Sequence, residues 1–259
     1  MHKRKPASES LSFREKVPRG AREFGRSVIA RLARALTPNP NPSPEGRGEF
    51  AALLLALMIP LAANATDAAA ITRQGNGKGA APCMACHGAD GGGMAVNGYP
   101  RLAGLDAAYL QRQLDDFASG VRANPVMQPN ASALSEEERA ALAKYYGALR
   151  LPARLASPST RPDAKGERLA TRGDWSRALP ACTQCHAPGG VGVGANFPPL
   201  AGQSAAYIAS QLRAWQQGTR HNDPLQLMQH VARQLTPQEI DAVAGWFAAQ
   251  PLPARGNGL

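Results

Sequence analysis

The distribution of apolar and polar residues favours helices, because no segment alternates convincingly with the period of two that is typical of strands. Asp106 and Ser204 mark two helix starts, since their side-chain oxygens can accept a free backbone N–H. The helices that follow are predicted to end near Gly120 and Gly218, where glycine can adopt the left-handed cap conformation. These signals predict an all-α fold.

Two further helix starts carry the signature of a capping box, in which a hydroxyl residue and a glutamate three positions later cap each other's backbone. Ser135 with Glu138 forms the first, and Thr236 with Glu239 forms the second. Pro237 stands at the first helical position of the second box, where its missing N–H costs nothing. Two more helices are therefore predicted.

The longest apolar stretch, Phe50–Ala63, spans 14 residues and precedes Ala63-Asn64-Ala65. It is too short for a confident membrane span, and an apolar stretch followed by small residues is typical of a secretory signal. Cleavage after Ala65 would export the chain to the periplasm with Thr66 at its start. Because 49 residues precede Phe50, we expect the start of the sequence to be over-extended, with a retained basic tail as the alternative. Residues 1–65 are set aside from the fold.

The formal net charge of +10 is concentrated in that N-terminal segment. Of the 29 basic and 19 acidic residues, 11 and 5 lie in residues 1–65, which leaves 18 and 14 for the rest. No block of lysine and arginine remains after residue 65, so nucleic-acid binding is not expected. A hydrophobic content of 44% also excludes a disordered chain.

All four cysteines belong to two Cys-x-x-Cys-His motifs. These are Cys83, Cys86 and His87, and Cys182, Cys185 and His186. This motif is the attachment signature of c-type haem. Two thiols on one helical turn can add to the two vinyl groups of one porphyrin, and the next residue presents an imidazole to the iron. The sequence therefore predicts two covalently bound haem c groups.

Three other interpretations of the cysteines are weaker. Two disulfides, which are common in exported proteins, would give no reason for a histidine after each pair. The pairs of a structural zinc site usually lie closer together than Cys86 and Cys182. A thioredoxin-like motif would need a βαβ context, and the sequence shows none.

The two motifs lie in an internal repeat, since His87 and His186 are 99 positions apart. Tyr99-Pro100-Arg101-Leu102-Ala103-Gly104 returns as Phe197-Pro198-Pro199-Leu200-Ala201-Gly202, and further matches follow. Between the copies, residues 151–162 contain three prolines and are predicted to form a semi-rigid linker. This organisation predicts one haem domain at residues 66–150 and another at 163–259.

Met127 and Met228 occupy corresponding positions, each seven residues before the leucine that precedes a capping box. Both are expected in proline-containing, non-helical segments, from which a thioether could reach the iron opposite the histidine. A methionine that only fills the core is the alternative. His221 or His230 could replace Met228, although surface histidines are the default expectation.

Two sets of residues are expected to support the haems. The carbonyl of Pro100 or Pro198 could accept the ring N–H of the attached histidine and raise its basicity, or the prolines could merely direct a turn. Arg101, Arg122 and Arg220 could pair with haem propionates, with exposed surface positions as the alternative.

These motifs resemble the diheme cytochrome c4 family over roughly residues 75–250. The resemblance implies two cytochrome c-like all-α domains with their haems edge to edge, in a periplasmic electron carrier that commonly feeds a terminal oxidase. The roles it implies fall on six residues: His87, Met127, Pro100, His186, Met228 and Pro198. This sequence departs from the family in its Gly-rich start, which predicts a short or irregular first helix, and in two extra residues before Met228.

The leading functional hypothesis is an electron carrier without a substrate of its own, acting between redox protein partners of a respiratory chain. A cytochrome subunit of a periplasmic dehydrogenase is the first alternative, and peripheral membrane association is left open. A diheme peroxidase is the second alternative. It would need one haem with an open sixth position, which two matched methionines oppose.

Overall fold

A computed structural model describes residues 66–150 and 163–252, which we call the first and second halves. The predicted signal segment 1–65 and linker 151–162 lie outside the described residues. The predicted all-α fold is confirmed: the described residues form helices and short 3₁₀ turns, with β-pairing only as isolated bridges. None of the helices in these two ranges has the length and hydrophobicity needed to cross a membrane.

The first half contains five α-helices. They are α1 (Ala68–Gln74), α2 (Met84–His87), α3 (Ala107–Ser119), α4 (Met127–Ser132) and α5 (Glu136–Ala148). Asp106 caps α3 as predicted, and Gly120 ends it with a left-handed φ of 79°. The capping box of Ser135 and Glu138 is present at the start of α5. Local signals therefore account for both long helices of this half.

The second half repeats this order. Its helices are α6 (Ala164–Arg172), α7 (Cys182–His186), α8 (Ala205–Gln216), α9 (Leu227–Arg233) and α10 (Pro237–Ala248). Ser204 caps α8, and the box of Thr236 and Glu239 starts α10. The α8 helix ends at Gln216, close to the predicted Gly218.

The first helix is short, as its glycines predict. It has seven residues, whereas its counterpart α6 has nine. Gly75 follows α1 with a φ of 75°, and a Cβ built there would lie 2.2 Å from the carbonyl oxygen of Ala80. Since only glycine tolerates this approach, α1 cannot be extended by a simple substitution.

Each half has its own apolar core. In the first half α3 packs on α5 and α1 packs on the same helix, and in the second half α8 and α6 pack on α10 in the same way. Leu142 on α5 and Phe247 on α10 are almost fully buried. Burial of such a side chain contributes about 1.5–3 kcal/mol.

The repeat also appears in the loops that follow the attachment helices. The N–H groups of Leu102 and Ala103 both donate to the carbonyl of Gly91, and the second half repeats these bonds on the carbonyl of Gly190. Gly104 donates to the carbonyl of Tyr146, and Gly202 donates in the same way to that of Phe247, each at 3.0 Å. The loops therefore hold the Pro100 and Pro198 segments against the last helix of their halves.

Candidate functional site

The two attachment motifs form short helices at matching places. His87 ends α2, and His186 ends α7. Neither cysteine pair forms a disulfide. Within the described ranges no three histidine, cysteine or acidic side chains gather as metal ligands, and the two cysteine pairs do not form a four-thiolate site.

Both histidine rings are buried and held by a proline carbonyl. Nδ1 of His87 lies 3.0 Å from the carbonyl oxygen of Pro100, and Nδ1 of His186 lies 2.8 Å from that of Pro198. Because a carbonyl oxygen can only accept, the proton belongs on Nδ1 in each ring. The lone pair of Nε2 is then free for an iron atom, which is the orientation that a haem ligand needs.

Burial favours the neutral form of both histidines. It lowers the pKa of His87 and of His186, and the proline carbonyl opposes this only in part. Burial also raises the pKa of the Cys182 thiol to about 11, and it raises the pKa of Cys83. The imidazoles are therefore in the form that binds a metal.

The prediction that Met127 and Met228 lie in non-helical segments is wrong. Met127 is the first residue of α4, and Met228 is the second residue of α9. The cause is side-chain capping: Asn124 Oδ1 accepts the Met127 N–H at 2.8 Å, and Asp223 Oδ2 accepts the Met228 N–H at 2.7 Å. These caps allow a helix to begin soon after the proline. Both methionines are half-buried, and Met228 packs against the second core together with Cys182.

The two extra residues before Met228 are accommodated as an outward bulge. Leu225 is 77% exposed, and Gln226 takes a left-handed φ of 54° directly before α9. His221 and His230 are both exposed, and His230 Nε2 lies 3.3 Å from the carbonyl oxygen of Ala178. The bulge is therefore followed by a helix whose first turn contains Met228, as the first turn of α4 contains Met127.

The two halves belong to one compact unit and meet in a buried network centred on Arg122 and Arg220. The backbones form an isolated antiparallel bridge at these residues. Arg122 donates to Tyr207 Oη at 3.0 Å and to Gln211 Oε1 at 2.5 Å, and Arg220 donates back to Gln113 Oε1 at 3.2 Å. The alternative that these arginines are exposed surface residues is wrong.

The glutamine oxygens of this network are shared between donors from both halves. Gln113 Oε1 accepts from Arg122, from Arg220 and from Asn222. Gln211 Oε1 accepts from both arginines. Each half therefore completes the hydrogen bonding of the other.

The network holds two buried guanidinium groups and one carboxylate, that of Asp116, which accepts from Asn222 Nδ2 at 2.7 Å; pairing of the arginines with haem propionates stays a prediction. The hydrogen bonds from Arg122 and Arg220 to described residues all end on uncharged groups, and burial, followed by the charge of Arg122, lowers the pKa of Arg220 to about 10. The Arg220 guanidinium also lies 3.9 Å from the ring centre of Trp215, whose buried Nε1 has no partner within the described residues. Buried donors of this kind favour anionic oxygens.

A second contact between the halves involves Arg101 and Gln203, which are 2% and 4% exposed. The Arg101 N–H donates to Gln203 Oε1 at 2.9 Å, and Gln203 Nε2 donates to the Arg101 carbonyl at 3.1 Å. The Arg101 side chain donates at 3.0 Å to the carbonyl of Ala201 in the second half. Arg101 is therefore buried as well, contrary to the alternative of a surface residue.

The sequence analysis did not identify Gln113, Gln211 or Gln203 as functional. Gln113 and Gln211 occupy matching positions in the repeat. Matching polar residues of this kind are a signal for a contact that both halves share. Gln203 is instead marked by a mismatch, because the repeat places Leu105 at its counterpart. Arg101 nearby also departs from the repeat, since its counterpart is Pro199.

Comparisons with known proteins agree with this geometry. The cytochrome c family model matches residues 75–149 and 164–249. The thiosulfate dehydrogenase electron acceptor of Stutzerimonas stutzeri is 53% identical over 195 residues, covering 74% of this chain and 90% of that protein. Cytochrome c4 of Pseudomonas aeruginosa is 40% identical over 198 residues, covering 75% of this chain and 94% of that protein.

Among solved structures, a thiosulfate dehydrogenase (TsdBA) from Marichromatium purpuratum is similar, with a TM-score of 0.68 and 47% identity. The match covers 73% of this chain and 40% of that longer chain. The paired attachment helices and the two family matches together give one assignment. The chain belongs to the cytochrome c family as a diheme cytochrome c4-like protein, an electron-transfer protein with two covalently bound haem c groups.

Proposed function

We propose that this protein is a periplasmic electron carrier that accepts single electrons from a thiosulfate-oxidising dehydrogenase and passes them to a respiratory acceptor. The observation that carries the proposal is the pair of buried histidines, each oriented by a proline carbonyl beside a cysteine pair that forms no disulfide. A haem held there supplies reversible one-electron chemistry. The described residues otherwise fix, bury and orient that group.

The axial ligands belong to the same proposal. We assign His87 with Met127 to the first haem and His186 with Met228 to the second. The caps supplied by Asn124 and Asp223 give both methionines a defined backbone position. Two protein ligands on each iron leave no open coordination position, which favours transfer of electrons over binding of a substrate.

The choice of donor is supported by the relatives. Two curated proteins named as thiosulfate dehydrogenase electron acceptors, from Stutzerimonas stutzeri and Thiomonas intermedia, are 53% and 54% identical to this chain. Both identities exceed the 40% shared with cytochrome c4 of Pseudomonas aeruginosa.

Anaerobic mixing tests the donor. The oxidised protein is mixed with a thiosulfate dehydrogenase and thiosulfate, and haem reduction is followed by stopped-flow absorbance. We expect both haems to be reduced in the complete mixture and neither when dehydrogenase or thiosulfate is omitted. If ascorbate reduces both haems while the complete mixture reduces neither, the proposed donor is wrong.

A second candidate is a cytochrome subunit that stays bound to its dehydrogenase. It is favoured by the similar TsdBA structure, of which this chain matches 40%. Size-exclusion chromatography of the mixed proteins separates the two, because a subunit co-elutes with the dehydrogenase at nanomolar concentration and a carrier elutes alone.

The location is tested by N-terminal sequencing of the protein from a periplasmic fraction. We expect Thr66 or a residue near it at the start. A mature protein that still carries residues 1–48 would contradict both the cleavage and the over-extended start.

A further inference from the structure

One peptide group connects the first histidine to the other half of the molecule. This is the group between Pro100 and Arg101, whose carbonyl accepts from His87 Nδ1 at 3.0 Å. Its N–H donates to the side-chain oxygen of Gln203 at 2.9 Å. His87 and Gln203 therefore lie at the two ends of a hydrogen-bond chain that passes through a single peptide plane.

Gln203 is held firmly in this position. Its Oε1 also accepts the N–H of Ser204 at 3.1 Å, and its Nε2 donates to the carbonyl of Arg101 at 3.1 Å. The side chain is 4% exposed, so water cannot readily replace either contact. The amide orientation follows from the partners, since the oxygen faces two N–H groups and the nitrogen faces a carbonyl.

The second half cannot form the same chain. The carbonyl of Pro198 accepts from His186 Nδ1 at 2.8 Å, but the next residue is Pro199, which has no N–H to donate. The counterpart of Gln203 in the first half is Leu105, whose side chain has no acceptor. At the corresponding positions, both the backbone N–H donor and the side-chain acceptor of this contact are therefore missing.

An acceptor on the N–H of a peptide group polarises that group and makes its carbonyl a better acceptor, because chained hydrogen bonds strengthen one another. A stronger bond to Nδ1–H raises the basicity of the histidine as a ligand. A more basic ligand stabilises ferric iron relative to ferrous iron and lowers the reduction potential.

We propose that Gln203, a residue of the second half, is a positioning residue for His87 and lowers the reduction potential of the first haem. The second haem receives no such contribution, so the contact biases internal transfer from the first haem towards the second. This inference rests on the proposed ligation by His87 and is independent of the identity of the electron donor.

The test is a redox titration of the diheme protein and its Gln203→Leu variant, followed by NMR of haem methyl signals assigned to each half. We expect the midpoint of the first haem to rise in the variant and that of the second haem to stay unchanged. The His87 Nδ1–H signal should also move upfield as its hydrogen bond weakens. An unchanged first midpoint, or an equal shift of both midpoints, would overturn the proposal.

Gln203→Glu separates the hydrogen bond from packing, because it keeps an acceptor for the Arg101 N–H. Its first midpoint should equal or lie below that of the unaltered protein. A rise like that of Gln203→Leu would refute the proposed role. This variant also decides the question if Gln203→Leu fails to retain two haems by intact mass.

The matched control transfers the contact to the other half. Leu105→Gln alone should leave the second midpoint unchanged, because Pro199 offers no N–H. Leu105→Gln with Pro199→Arg supplies both members and should lower the second midpoint. Equal lowering by the single and double variants would contradict the proposed chain. If the unaltered protein shows no His87 signals in the hyperfine-shifted region, His87 does not bind the iron and the proposed ligation itself is wrong.

Discussion

Met127 and Met228 are the residues on which the distinction between carrier and catalyst depends. If both bind iron, the ferric protein shows the weak near-infrared band of sulfur–iron ligation with intensity for two sites. Met127→Ala should then remove about half of that band and raise the affinity of the first haem for small ligands, because a coordination position opens. Near-infrared absorbance and cyanide titration measure both effects.

Met94 provides the control, since it lies in the same half and is 39% exposed. Met94→Ala should leave the band unchanged. If Met228→Ala leaves the band at full intensity, the second iron has another ligand, and the exposed His230 and His221 are then the residues to replace.

The cysteine pairs act separately because each belongs to its own helix: Cys83 directly precedes α2 and Cys86 lies within it, whereas Cys182 and Cys185 lie on α7. Replacing Cys182 and Cys185 by alanine should therefore remove one haem and leave the other attached at Cys83 and Cys86. Intact mass and haem staining after denaturing electrophoresis give the count. A variant that keeps two haems, or an unaltered protein with fewer than two, contradicts the assignment.

At the same scale, the attachment residues can be predicted from the sequence because their spacing is local and chemically specific. The burial of Arg122 is not predictable in this way, since its partners Tyr207 and Gln211 are 85 and 89 positions distant. The pair of Arg101 and Gln203 is hidden for the same reason, with a separation of 102 positions.

Among the elements, α10 has an ion-pair arrangement that makes the stability of the second half depend on pH. Burial alone would disfavour the charged Glu239, but hydrogen bonds from Arg177 and the Thr236 N–H outweigh it and lower the pKa of Glu239 to about 2. An unfolded glutamate has a pKa of about 4.3. The folded-state pKa is depressed, so this stabilisation is complete above about pH 4.3 and is lost as pH falls towards 2.

We expect the thermal unfolding temperature of the protein to fall across that pH range, and Glu239→Gln to reduce the dependence. Circular dichroism melts between pH 2 and 6 measure it. Glu138 is the counterpart in the first half, where its partners are Asn76 and the exposed Lys78, whose Nζ lies 3.7 Å away, instead of an arginine. Glu138→Gln should change the pH dependence less, and an equal change would contradict the role of Arg177.

The starts of α4 and α9 show where the prediction of helix boundaries from the sequence fails. The prolines before Met127 and Met228 suggest non-helical chain, but Pro125 and Pro224 lie in turns that lead directly into helices beginning at Met127 and Leu227. Beyond them a side chain further upstream, Asn124 or Asp223, caps a new helix within three to five residues. Because such a cap acts across a proline, its effect depends on the folded turn and not on the local residue pattern alone.

At the scale of the whole molecule, the shared glutamines should make the halves unfold together. Gln113→Leu with Gln211→Leu removes the acceptors of two buried guanidinium groups and should cost about 3 kcal/mol or more. We expect the single calorimetric transition of the unaltered protein to split into two. The control is Gln217→Leu, because Gln217 is an exposed glutamine of the second half. This variant should keep a single transition. Two transitions already present in the unaltered protein would contradict a cooperative contact.

The sharing of Gln113 Oε1 by donors from both halves also affects how the two copies of the repeat can evolve. Copies that arise by duplication can usually accumulate changes separately, but a replacement at Gln113 disturbs donors of both copies at once. Changes at this contact are therefore expected as matched pairs. The second contact between the halves departs from the repeat in a matched way, since the polar Arg101 and Gln203 correspond to Pro199 and Leu105, which line one cleft. Each copy has become part of the other's environment, so separating the copies would leave buried polar groups of both without their partners.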